Sequence, residues 1–349
     1  MNRSNRSLTL VGALGAALLA VQPLHSQTAE PKNAKPSWVD RFFGLKRDHS
    51  GGWLFAGYQG DGRSGVYFAV SKDGYHWKLV NDGKPMLRPS QRGEFTRDPS
   101  VQRAPDGTFR MVWAWSTGAP AELGYSTSNN LIFWSEQRKL PIAAAIPTAE
   151  NASSPALYYQ PTRKDWLILW SSSVPASGKP DPGNRIYSTT THDFKNFAPA
   201  KLFFDPGYPV ADATLLPSKD KAGEFYLLFK DERDGAVGKN IRMAQGSTAD
   251  GPWQNIGAPI AQSGSEAPAI LLLAGGYLAY YDLAADPNQD ETSRHYEALL
   301  STDLQHWSYA TPKTAFPAGL RHGSFLHIET SDYNLLLDYH QPLNAGSIK

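Results

Sequence analysis

Ser71-Lys72-Asp73-Gly74-Tyr75-His76-Trp77 is a polar turn closed by an aromatic residue, and a short way further on the chain reads Arg97-Asp98-Pro99-Ser100. This pair of features returns four more times. Turns of the same kind close at Trp134, Phe197, Trp253 and Trp307, at nearly even intervals. The segments that follow are Ser153-Ser154-Pro155-Ala156, Ala211-Asp212-Ala213-Thr214, Ser265-Glu266-Ala267-Pro268 and Arg321-His322-Gly323-Ser324. Read at matching phase, the repeated position holds Asp98, Ser154, Asp212, Glu266 and His322, again with a nearly constant step. A self-similar, strand-rich unit of this length marks the blade of a propeller.

Each repeat reads as about four strands. The first carries the phased residue. The second is an aromatic and branched run, as at Phe109 to Trp115, Trp166 to Trp170, Phe225 to Phe229 and Tyr277 to Tyr281. The third leads into the turn closed by the aromatic, and the fourth crosses to the next blade. Asp106-Gly107 and Gly275-Gly276 are hairpin signals. No stretch sustains a helical apolar period, so long helices are not expected. The fold class is therefore all-β, a five-bladed β-propeller. Residues 53–90 lack a first strand of their own and are expected to share a blade with residues 321–340, so that the N- and C-terminal segments close the ring and protect its edges.

The chain has 349 residues. Residues 1–26 have the form of a secretory signal peptide: Arg3 and Arg6, an apolar run from Leu8 to Val21, and small residues before Gln27. Residues 27–50 read as a linker and N-terminal arm, and 51–349 as the propeller domain. Removing Arg3 and Arg6 with the leader takes the net charge from +1 to −1, which offers no bulk attraction to nucleic acid or to anionic lipid. Cysteine is absent, which excludes disulfides, thiolate metal sites and a Cys nucleophile. The expected protein is exported, periplasmic or secreted, free of the membrane once the leader is removed, and monomeric.

The innermost strand of a blade lines the central channel, so residues at its start meet at one channel mouth. Asp98, Asp212 and Glu266 are expected to be neighbours there. A single Asp before Pro is ordinarily a turn residue, but three acids in phase are not explained by turns. Crowded carboxylates split their pKa values, one remaining a base while another keeps its proton. Glycosidic hydrolysis needs such a pair. Trp115, Trp170, Tyr58 and Tyr281 are candidate sugar platforms, or else packing between blades. Lys230 and Arg321 are candidates to bond sugar hydroxyls, or else to form ion pairs that tune a carboxyl. Asp286 to Glu291 lacks the glycine of a calcium loop and reads as a solvated loop. Asn151-Ala152-Ser153 is a glycosylation sequon overlapping the second repeat's motif.

Arg97-Asp98-Pro99-Ser100, Ala211-Asp212-Ala213-Thr214 and Ser265-Glu266-Ala267-Pro268 resemble, in order and spacing, the three acidic motifs of glycoside hydrolase family 43. Lys201 to Gly207, Phe229-Lys230-Asp231-Glu232 and Arg321-His322-Gly323 resemble one bacterial branch of it. The resemblance implies a five-bladed propeller hydrolysing arabinose- or xylose-containing plant saccharides with inversion, as an α-L-arabinofuranosidase or β-xylosidase. It implies Asp98 as general base, Glu266 as general acid and Asp212 as the group tuning that acid. Arg97, Trp115, Ser154, Lys230 and Arg321 would contact a neutral oligo- or polysaccharide. His322 matches a channel histidine that contacts a metal or ordered water, so a structural Ca2+ in the channel is implied; the chemistry itself needs no cofactor. Relatives commonly start the second motif Trp-Ala-Pro-Glu, whereas this chain has Ser153-Ser154-Pro155-Ala156. The alternatives are a non-catalytic carbohydrate-binding propeller, or a related propeller enzyme acting on other glycosides.

Overall fold

Along Leu54-Phe55-Ala56 and Val66 to Val70, successive side chains serve two different cores. Leu54, Ala56, Val66, Phe68 and Val70 join Val101, Met111 and Trp113 on one side. Phe55, Tyr67 and Ala69 join Leu271, Leu278 and Tyr280 on the other. A strand alternates its side chains between two faces. These strands are apolar on both faces because each sheet is sandwiched between two others, as a ring of radial blades requires.

The computed structural model describes residues 51–116, 121–143, 146, 148–175, 182–235, 238–284 and 294–341. The leader, the linker and Asp286 to Glu291 lie outside the described residues. The fold is a five-bladed β-propeller of five four-stranded antiparallel sheets. The second blade holds β4 (Arg97–Arg103), β5 (Phe109–Ala114), β6 (Leu123–Ser128) and β7 (Arg138–Leu140). The third holds β8 (Ser153–Gln160), β9 (Asp165–Ser173), β10 (Asn184–Thr191) and β11 (Lys201–Phe204). The fourth holds β12 (Val210–Pro217), β13 (Phe225–Asp231), β14 (Asn240–Gly246) and β15 (Trp253–Gln254). The fifth holds β16 (Ser265–Leu273), β17 (Gly276–Ala284), β18 (Arg294–Ser301) and β19 (Ser308–Tyr309).

The first blade closes the ring. Its β1 (Gly52–Gln59), β2 (Val66–Ser71) and β3 (Lys78–Leu79) are joined by β20 (Leu320–Ile328), which supplies the inner strand. Closure is tight: a Cβ on Gly323 would lie 1.9 Å from the Ala56 carbonyl oxygen. The closing segment departs from the expected strand after Ile328. Thr330–Asp338 forms a short helix, α1, that buries Tyr333 and Leu336. A single buried pair is too brief a pattern to register as helical periodicity. No helix among the described residues is long and apolar enough to cross a membrane.

The repeated turn is built locally. Asp73, Asn130, Asp193 and Asp303 each accept two backbone N–H bonds from residues two and three positions on, the Asx geometry that makes these residues frequent in turns. The aromatic that follows packs against a neighbouring strand or blade. Trp77 meets Tyr280, Trp134 meets Phe68, and Trp253 meets Phe203. Full burial of such a ring is worth roughly 3–5 kcal/mol against alanine.

Candidate active site

Every inner strand begins with the same irregularity. In β4 the pairing to β5 steps from Arg97–Ala114 to Ser100–Val112, so one residue is extra. β8, β12 and β16 repeat this between Ser153 and Ala156, Ala211 and Thr214, and Glu266 and Ala269. A bulge re-aims the side chain it carries. Here the bulged residue sits in the left-handed region: Asp98 at φ 51°, Ser154 at 48°, Asp212 at 55°, Ala267 at 49° and His322 at 23°. These five are the structurally equivalent positions.

The expected phase is thereby corrected in the fifth blade. Ala267 holds the equivalent position, and Glu266 lies one place earlier, in the row of Arg97, Ser153, Ala211 and Arg321. Counting to Ala267 also evens the spacing, since the steps from Asp212 to Ala267 and from Ala267 to His322 are then equal.

The three expected acids do converge. Ser154 N–H donates to Asp98 Oδ2 at 2.9 Å, and its hydroxyl donates to Asp212 Oδ1 at 2.6 Å. Ala267 N–H donates to Asp212 Oδ2 at 2.9 Å. His322 Nδ1 lies 3.2 Å from Asp98 Oδ1, and its Nε2 lies 2.9 Å from Glu266 Oε1 and 3.3 Å from Asp282 Oδ2. One polar network therefore runs round the channel mouth. Below it the channel is lined by Ser100, Tyr158, Thr214 and Ser324.

Glu266 is clamped by cations. Lys230 Nζ is 2.8 Å from Oε2, while Arg294 Nη1 and Arg321 Nη2 lie 2.5 Å and 3.5 Å from Oε1. Burial favours its neutral form, but His322, Lys230 and Arg294 outweigh that and hold its pKa well below the usual carboxylate value. Burial likewise raises Asp98, and the His322 ring, the Ser154 N–H and Arg97 bring it below normal. Glu232, beside Lys230, moves the other way. Burial and the negative charges of Asp212 and Glu266 raise its pKa, only partly offset by Lys230 and Asn184.

The remaining expected contacts sort as follows. Ser154 links the acids to one another. Arg97 donates from Nε to the Asp61 carbonyl at 2.7 Å and lies over the rings of Tyr58 and Phe95. Arg321 pairs with Asp282 at 3.2 Å. Trp115 is corrected as a sugar platform. With Tyr58, Trp170 and Tyr281 it is at most 5% exposed, and it stacks on Trp113 while donating to Glu94. All four rings pack inside the fold. Asn151 of the sequon is engaged with Ser173 and Asn184.

Glu266, Asp282 and His322 bring ligand atoms within 4.8 Å of one another, the arrangement from which a metal site could be built. The donor set does not fit an ion. Both His322 nitrogens face carboxylates, and although burial favours the neutral ring, Tyr58, Glu266, Asp282 and Asp98 raise its pKa well above the ordinary value. Lys230, Arg294 and Arg321 already supply positive charge around Glu266, and calcium wants six to eight oxygens. With these cations in place, the residues here do not supply the oxygens that the calcium implied by the resemblance would need.

Asp282, Arg294 and Glu232 are not singled out by the sequence. Asp282 was reachable by register, since it pairs directly with Glu266. Glu232 follows Lys230 in the Lys-Asp-Glu run, but nothing in that run separates it from Asp231, whose carboxylate is spent on Arg233 and Arg242.

Residues 48–334 match the model of a family related to glycosyl hydrolase 43, described as "Probable glycosyl hydrolase domain". No curated protein matches the chain significantly. Among solved structures, a thermostable family 43 glycoside hydrolase aligns with a TM-score of 0.58 at 14% identity, over 79% of this chain and 94% of that one. An endo-1,4-β-xylanase from Bacteroides thetaiotaomicron aligns with a TM-score of 0.54 at 15% identity, over 79% and 94%. A family 43 β-1,3-galactosidase aligns with a TM-score of 0.52 at 15% identity, over 71% and 53%.

Proposed function

Because the chain belongs to the glycosyl hydrolase 43-related family, we propose that it hydrolyses glycosidic bonds at this mouth by an inverting mechanism with two carboxylates. The observation that carries the reading is the convergence of Asp98, Asp212 and Glu266 from three blades onto one hydrogen-bonded network. The His322 ring stands between Asp98 and Glu266, its Nδ1 3.2 Å from one and its Nε2 2.9 Å from the other; inverting enzymes hold their two carboxyl groups roughly 6.5–9.5 Å apart, so that a water fits between them.

In this reading Asp98 is the base. Its depressed pKa keeps it ionised, ready to take a proton from the attacking water. Glu266 is the acid in this reading, a role that requires bound saccharide to displace the cations that hold it ionised in the free site. Asp212, tied to Ser154 and to the Ala267 N–H, fixes the geometry between them. The substrate is a neutral saccharide with arabinose or xylose units, and the enzyme acts outside the cytoplasm. Solved neighbours bear xylanase and galactosidase names, so the sugar is the part of the proposal most exposed to test. Purified protein should release aryl alcohol from an arabinofuranoside or a xyloside, and NMR early in turnover should show the inverted anomer. Retention, or silence on arabinofuranosides, xylosides and galactosides alike, would overturn it.

A further inference from the structure

Building on that reading, we propose that Glu232 and Lys230 together bind one hydroxyl of the leaving sugar, beside the scissile oxygen, and so select a saccharide leaving group over a plain alcohol. Glu232 stands just past the end of β13, and its oxygens have different surroundings. Oε2 accepts from Asn184 Nδ2 at 3.0 Å. Oε1 accepts no hydrogen bond among the described residues; the nearest donor is the Lys230 ammonium, 3.8 Å away. That gap is too long for a direct hydrogen bond. A hydroxyl both accepts and donates, so one placed there accepts from Lys230 and donates to Oε1. Lys230 has a donor to spare, since an ammonium carries three and Glu266 Oε2 takes one at 2.8 Å.

The pair is held in place before any sugar arrives. The Glu232 N–H donates to the Pro209 carbonyl at 3.0 Å. Asn184, which fixes Oε2, accepts in turn from Asn151 at 3.0 Å, and Asn151 accepts from the Ser173 N–H at 2.7 Å. Blades three and four thus pin one oxygen of Glu232 and leave the other to a ligand. The Glu232 and Lys230 side chains are partly open, at 23% and 19% exposure. A binding group fixed in this way has little ordering left to do when its ligand binds.

The order of contacts places the hydroxyl on the leaving side. Glu266 Oε1 faces His322, and beyond it Asp98. Oε2 faces Lys230, and beyond it Glu232. In inversion the base works on one face of the cleaved sugar and the acid on the other, with the leaving group on the acid's side. What lies past the acid, away from the base, therefore meets the leaving sugar.

Glu232→Gln tests this with the fold kept. Its amide oxygen retains the Asn184 bond, and an amide N–H2 then faces the ligand where an acceptor stood. Xylobiose and arabinobiose are compared with the cyclohexyl glycosides of the same sugars, whose leaving alcohol needs a proton as much but carries no second hydroxyl. The variant should lose roughly 10- to 100-fold in kcat/KM on the disaccharide, the worth of a hydrogen bond to a charged group, mainly through a higher KM. The cyclohexyl glycoside should be cleaved as before. An equal loss on both would mean that Glu232 acts through Glu266, and no loss would mean that it binds nothing; either overturns the proposal. If the unaltered protein cleaves none of these, hydrolysis itself fails, and calorimetry with the two disaccharides decides the binding. Weaker binding by the variant upholds it, whereas equal binding, or none by the unaltered protein, overturns it.

Discussion

The Ser154 hydroxyl lies 2.6 Å from Asp212 Oδ1, while the N–H of the same residue lies 2.9 Å from Asp98 Oδ2. One small residue therefore joins acids from two other blades, at the position where the Trp-Ala-Pro-Glu motif of relatives has an alanine with no hydroxyl. Loss of a hydrogen bond to a charged acceptor costs roughly 1.5–3 kcal/mol. Ser154→Ala keeps the N–H contact to Asp98 and removes the hydroxyl contact to Asp212. We expect kcat/KM to fall roughly 10- to 100-fold, in line with that cost, and the melting temperature to fall with it. Turnover within twofold of normal would show that Asp212 needs no such tether.

Asp98 carries the heavier consequence. Asp98→Asn preserves shape and the Ser154 contact but cannot accept a proton from water. Removing a base of this kind lowers kcat by about 10²- to 10⁴-fold. Circular dichroism should be unchanged, because the bulge geometry at φ 51° suits Asn as well as Asp. Near-normal turnover in this variant would exclude Asp98 as the base.

Trp77 tests the repeat that fixed the fold. Its indole N–H donates to the Gly74 carbonyl at 3.0 Å, and its ring packs against Tyr280 of the neighbouring blade. Trp77→Ala should destabilise by roughly 3–5 kcal/mol, read as a lower urea midpoint. Trp77→Phe, which keeps the ring contact but loses the donor, should cost less. Equal costs would mean that the indole N–H bonds, to Gly74 and to the Tyr280 hydroxyl at 3.2 Å, dominate over ring packing.

The repeats made the fold legible because each blade solves the same local problem with the same residues: an Asx turn, a closing aromatic and a doubly buried strand. The site was legible only to within one position. Asp98, Asp212 and His322 fall on the bulge, and their spacing reports it directly. Glu266 stands one place off, which an acidic side chain conceals in sequence, and the backbone places Ala267 on the bulge instead. The cations around Glu266 come from second and third strands and from β20, and their convergence depends on register and ring closure. The aromatic runs look like sugar platforms in sequence, since a ring buried between blades and a ring open to a sugar have the same composition.

His322 and its three carboxylates predict the pH response. Asp98 and Glu266 have folded pKa values below their ordinary 3.8 and 4.5. Their contribution is complete above about 4.5 and is lost as pH falls through the folded values, because the unfolded chain then binds protons the fold does not. His322 has the opposite sign. Its folded value lies above the ordinary 6.5, so its contribution is complete below 6.5 and is lost as pH rises through the folded value. The stability due to these groups is therefore greatest between about pH 4.5 and 6.5. Above that window His322 alone gives a decline of about 1.4 kcal/mol per pH unit. His322→Gln should abolish the decline while lowering stability inside the window by roughly 3–5 kcal/mol, since three buried carboxylates lose their common partner. Urea denaturation in buffers spanning both edges measures this. A variant that keeps the alkaline decline would assign it to another group and return His322 to a neutral ring able to bind a metal.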